Sequence, residues 1–339
     1  MIRILACFVT LIFSVVPVEA RTVELVLFPA KAPEPVDKYR LLPKPDEPTD
    51  SDAFPLYQKA IQSLPADYDK DKVSQWRSAP LKELPTEQVK ATLEKLSPTL
   101  QLLRQASLSK RCSWPAVDPV PASNELTVDL TKYRQLAFIL AVQGRLEIAQ
   151  GRYDQAVATV KTGFVMARHL DQAPTLIHGL VGVAIGALMC GQLEELVQAR
   201  DGPSLYWALQ SLPRPLIDLN KQIELELANL KKQKDPLLRR QQEEQLKPSH
   251  DRVRVIGKRL DRDVAALQCV EALRLYAANH NGKFPNELTD VTEAALPNDP
   301  FTQKPFVYSR TGSRAVLEGT APEGGTAKDA IRYVLNLKE

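Results

Sequence analysis

Three groups of residues have the types and spacing to do chemistry. His169, Asp171 and His178 supply two imidazoles and a carboxylate, a donor set that suits a metal ion. The histidines are nine residues apart with Pro174 between them, so nothing in the spacing forces them together. Hydrogen-bonded structural histidines are the simpler expectation, and no metal site is assigned. Arg214 and Asp218 stand four apart across a new helix start, where they would pair. The plain alternative is an N-terminal acid and a surface ion pair worth little. Tyr206 and Trp207, beside Pro213 and Pro215, form either a docking edge for a peptide or glycan or a buried lid over helices. Tyr206, Trp207, Arg214 and Asp218 are therefore the candidate partner-binding residues.

The motif search excludes more than it finds. Phosphate-cradling loops, the GxSxG elbow, HExxH and the EF-hand pattern are all missing from the sequence. His250 and His280 fall at expected helix ends with no nucleophile beside them in sequence. No cofactor is expected. The 41 Asp and Glu residues leave a dispersed acid–base pair open, so a carboxylate hydrolase is kept as a second hypothesis. A net charge of +3 and 6% aromatic residues give neither a basic face nor stacking platforms for nucleic acid.

The elements that must carry these residues begin with a leader. Residues 1–20 (MIRILACFVTLIFSVVPVEA) have one basic residue, an apolar run and small residues before a cut after Ala20. This is the pattern of a secretory signal peptide, with an uncleaved membrane anchor as its rival. Three cysteines follow it, Cys112, Cys190 and Cys269, none at CxxC spacing, which allows one disulfide or three thiols. Residues 21–49 open with TVELVLF, an edge strand, and become proline-rich, an extended arm.

Residues 50–250 read as helices. The stretch from Pro174 to Cys190 has no charged residue, and its glycines recur at helical spacing. A helix apolar all round is buried in protein or in lipid. Its amphipathic neighbours favour a protein interior, and Gly191-Gln192 is expected to break it. The Lys-, Gln- and Glu-rich run from Leu219 to Lys247 reads as a long helix with a solvated charged face, and Pro248 as the restart of the chain. Residues 251–339 give a helix to about Asn279, then short strands near 306–310, 315–318 and 331–335.

Three resemblances accompany this reading. Residues 129–170 resemble one tetratricopeptide-like hairpin through Gly144, Gly151, Tyr153 and Ala156. Glu147 and Arg168 depart from that pattern, and no second copy follows, so the resemblance implies hairpin geometry alone. The tail resembles the globular part of type II secretion pseudopilins through ALRLY (272–276), GKFP (282–285), Leu288, PNDPF (297–301) and PFVY (305–308). It has no apolar membrane helix in front, and GTAPEGG (319–325) replaces the calcium loop of some members. That resemblance therefore implies helix-plus-sheet geometry only. As a set, PLY (55–57), RCSWP (111–115), GRYDQA (151–156), YWAL (206–209) and LPRPLIDL (212–219) resemble uncharacterised secreted proteins of planctomycete-type bacteria. This implies kinship without an activity.

The expected fold is mostly α: a helical-hairpin, solenoid-like domain over 50–250, then a small α+β module with a three-stranded antiparallel sheet. The expected protein is exported to the periplasm or beyond and soluble once its leader is gone. It acts as a non-catalytic scaffold or binds a protein or envelope partner. The second hypothesis is an exported hydrolase acting on glycan or peptide.

Overall fold

The structure, a computed structural model, describes residues 20–44, 46–47, 49–115, 125–232 and 235–338. The expected leader lies outside them apart from Ala20. Among the described residues the chain is mostly helical, with a small sheet.

The first helices are short and begin where a side chain can take orphan backbone donors. Asp52 caps α1 (Ala53–Gln62), accepting from the Phe54 amide at 3.0 Å. Asp69 caps α2 (Lys70–Ser78), within what the sequence suggests is a polar link. After α3 (Thr86–Lys95) and α4 (Ser97–Ala106), the chain pairs Ser109–Arg111 in parallel with Thr49–Asp52. These two short strands, β2 (Thr49–Asp52) and β3 (Ser109–Arg111), bracket the first four helices.

Three long helices follow: α5 (Glu125–Ala149), α6 (Tyr153–Asp171) and α7 (Leu176–Leu196). The α5–α6 turn closes at Gly151, whose φ of 69° suits a residue without Cβ. Helix α7 is the apolar stretch. A Cβ on Gly182 would sit 2.9 Å from the Ala167 carbonyl oxygen, so glycine lets α6 and α7 touch backbone to backbone. Gly179 meets Leu219 and Gly186 meets Leu260, so the small-residue seam serves several neighbours. Gly191 does not end α7, contrary to expectation. It costs about 1 kcal/mol in a helix interior, which the buried Leu193 and Leu196 beyond it outweigh.

After α8 (Tyr206–Gln210), α9 (Leu219–Leu230) and α10 (Pro236–Asn279) form a hairpin. The expected restart at Pro248 is corrected: α10 runs through Pro248, and the true start is Asp235-Pro236. The Asp235 carboxylate accepts from the Leu237 and Leu238 amides, and Pro236 needs no donor there. Pro248 removes one backbone bond on an exposed face, so the helix survives it. His250 therefore lies inside a helix, where its Nε2 meets Glu226 at 2.8 Å.

The sheet is also corrected. It has four strands in the order β1-β6-β5-β4, where β1 is Arg21–Leu27, β4 Val307–Thr311, β5 Arg314–Gly319 and β6 Ile331–Leu337. The last three are antiparallel, while β1 joins β6 in parallel, Arg21 opposite Ile331 and Leu27 opposite Leu337. No turn links β1 to β6, so no local signal in the tail could reveal the fourth strand. Leu25, Leu27, Tyr333 and Leu335 pack with the small face of α10, including Ala265, Cys269 and Ala272.

Two buried arginines tie this layer together. Arg262 pairs with Asp299 in a bidentate fork, its Nε and Nη2 donating at 2.8 and 2.6 Å, and donates to the carbonyls of Thr320 and Asp329. Arg274 pairs with Glu271 at 2.8 Å and donates to the carbonyls of Phe28, Gly202 and Pro203.

Candidate functional site: a groove across the helix ends

Three hollows, each of about 390 Å³, adjoin one another on the helical part. The first lies between α3, α4 and the end of α5, lined by Lys90, Arg104, Gln143 and Arg152 among others. The second takes Arg152 as its shared wall and adds Tyr153, Asp154, Asp201, Pro203 and Tyr39. The third shares Tyr39 and ends on Trp207, with Val36, Asp37, Arg40 and Gln210. Arg152 lines the first and second hollows and Tyr39 the second and third, so the three lie side by side along one face, termed the groove.

Each wall has a local cause. The tight Gly151 turn presents Arg152, Tyr153 and Asp154 at the start of α6. Tyr39 belongs to the proline-rich arm and is fixed by donating its hydroxyl to Asp154 Oδ1 at 2.6 Å. Asp37 is ion-paired to Lys44 at 2.9 Å, which holds its carboxyl below the ordinary range. Pro203 is held in place by the buried Arg274. Behind the first hollow, burial raises the Glu147 carboxyl, which accepts hydrogen bonds from Gln143 and from Thr159 at 2.7 Å.

The sequence candidates divide. Trp207 lines the groove, edge-on to Tyr206 with ring centroids 4.9 Å apart. Tyr206 is its buried support and donates its hydroxyl to the Ala295 carbonyl at 2.6 Å. Arg214 reaches Gln268 on α10, near Asp261, and does not pair with Asp218. Asp218 caps α9, accepting from the Asn220 amide at 3.1 Å.

The histidines sit inside the fold. His169 Nε2 donates to the Ser109 carbonyl at 3.0 Å, so its Nδ1 accepts from the Tyr57 hydroxyl at 2.8 Å. His178 Nδ1 lies 2.5 Å from the Thr175 hydroxyl. Burial lowers both imidazoles to about 4, which keeps them neutral. Trp114 links them, donating to the His169 carbonyl at 2.8 Å and meeting the His178 ring edge-on at 4.7 Å. Asp171 instead faces Arg168 at 3.6 Å and Gln222. Among the described residues no three metal-capable side chains converge.

A second polar cluster escapes sequence reasoning. Arg21 on β1 donates to Glu194 on α7 at 2.6 Å and to Asp263 on α10 at 3.0 Å. Tyr333 on β6 donates to the same Glu194 oxygen at 2.6 Å. Burial raises Asp263 to about 6, with Arg21 opposing the shift. Nearby, burial also raises Asp261 and Glu195 to about 6. All three lie away from the groove lining. The thiols of Cys112, Cys190 and Cys269 are free and buried, so no disulfide joins them. No protein family, curated protein or solved structure matches the chain.

Proposed function

We propose that this is an exported, non-catalytic protein of the cell envelope that binds an extended segment of a partner protein along the groove. The observation that carries the reading is the run of hollows with Arg152 and Tyr39 as shared lining. A run of adjoining hollows suits a chain-like ligand better than a small substrate, which favours one enclosed cavity. Lys90, Arg104 and Arg152 outnumber Glu94 at one end, a net positive lining that complements carboxylates, while Tyr39 and Trp207 at the other offer aromatic surface for an apolar residue. Asp263 and Glu195, whose carboxyls burial raises, lie elsewhere in ion pairs with Arg21 and Arg145, and the Glu147 carboxyl behind the first hollow is held by Gln143 and Thr159, which supports binding over hydrolysis.

The test is a display library of random peptides selected on the purified protein, with a glycan array in parallel. Peptides pairing an acidic residue with an aromatic one are expected. Their affinity falls at least tenfold in Tyr39→Ala and in Arg152→Glu. Selection of glycans alone, cleavage of the selected peptides, or binding that ignores both substitutions overturns the reading.

A further inference from the structure

The first turn of α10, at the tip of the hairpin with α9, carries two exposed leucines among cations. Leu237 is 81% exposed and Leu238 41%. Lys231 and Lys232 precede them at the end of α9 and Arg239 and Arg240 follow them directly, and Asp235 is the one carboxylate among the described residues from 229 to 240. Asp235 is already committed to capping α10. The next acids, Glu243 and Glu244, lie a turn or more further along, where Glu244 meets Arg240 at 3.2 Å. The hairpin also projects: no residue of α10 from Pro236 to Ser249 is buried, a length of about 20 Å at 1.5 Å per residue. A solvated charged face explains the cations but not two adjacent leucines at the tip.

We infer that this tip docks on the surface of an anionic phospholipid bilayer. The leucines enter the headgroup boundary and the four cations lie against lipid phosphates. Basic side chains flanking a small apolar wedge are complementary to that surface in both charge and polarity. Each cation near an anionic surface contributes roughly fivefold in affinity. The projection keeps the body of the protein clear of the bilayer. This inference does not depend on the groove reading.

The experiment is co-sedimentation of the full chain with vesicles of phosphatidylglycerol in phosphatidylcholine, against phosphatidylcholine alone. The measured quantity is the difference between the two, a contrast that an apolar leader does not supply. Binding selective for the anionic vesicles is expected, weakened by salt. Arg239→Gln with Arg240→Gln should lower it roughly 25-fold, and Leu237→Ser with Leu238→Ser at least tenfold. None of these side chains is buried, so the variants keep their fold, checked by circular dichroism. Independently, Trp introduced as Leu237→Trp should shift its emission to the blue with anionic vesicles. Equal binding to both vesicle types, unchanged binding by both double variants, or equal competition by soluble polyglutamate overturns the inference. The last result assigns the tip to an acidic protein instead.

Discussion

Replacing Asp263 by Asn should change how stability depends on pH, by an amount the cluster itself sets. Asp263 is raised from 3.8 to about 6, chiefly by burial, although Arg21 pulls it down. Its side chain is 15% exposed, so solvent screens little of this. The folded state therefore holds a proton between those pH values that the unfolded chain releases. Its contribution is fully present below about pH 4 and is lost as pH rises through about 6. At 1.36 kcal/mol per pH unit the span is about 3 kcal/mol. The wild-type profile alone hides this, because His169 and His178 act in the opposite sense. Their pKa values are depressed from 6.5 to about 4, so their contribution is lost as pH falls across the same window. The difference between wild type and Asp263→Asn removes that background. Asn keeps the size of the side chain and an oxygen for Arg21. Urea unfolding followed by circular dichroism at several pH values between about 4 and 7 should show wild type losing about 3 kcal/mol relative to the variant as pH rises. A difference that stays flat within about 0.5 kcal/mol would mean that water reaches Asp263, and the account of a dry junction would be wrong.

The packing sets the remaining expected outcomes. Arg262→Met leaves Asp299 charged and buried without its partner, and should cost about 3–5 kcal/mol in urea unfolding. Adding Asp299→Asn should recover at least half of that loss. Gly182→Ala drives a Cβ against the Ala167 carbonyl and should cost about 1–3 kcal/mol of stability, read as a lower thermal midpoint. Gly191→Ala, in open space on the same helix, should gain up to about 1 kcal/mol and raise the midpoint.

Much of the helical layout was legible in the sequence because period and capping are local. Tyr133, Leu136, Ala137 and Leu140 recur at three and four and are all buried on α5. Gly151 marked its turn, and the tail strands were read at nearly their observed places. What escaped lies between distant segments. Arg21, Glu194, Asp263 and Tyr333 meet from four elements, and no spacing rule joins residues so far apart. Pro248 misled because a proline usually ends a helix, whereas here the cap at Asp235 decides the start. For the groove, Trp207 was visible as a large aromatic beside prolines. Tyr39 was not, because a proline-rich arm gives no periodic signal and its position depends on a hydroxyl bond to Asp154.

The pairing of β1 with β6 has a bearing on biosynthesis. The sheet joins Arg21–Leu27 to Ile331–Leu337, so everything between them must be translated before β1 gains its neighbour. Any message cut short upstream of Ile331 yields a chain whose opening strand keeps a bare edge of backbone donors and acceptors. Incomplete copies thus carry a marker of their own incompleteness, an unpaired edge open to other strands.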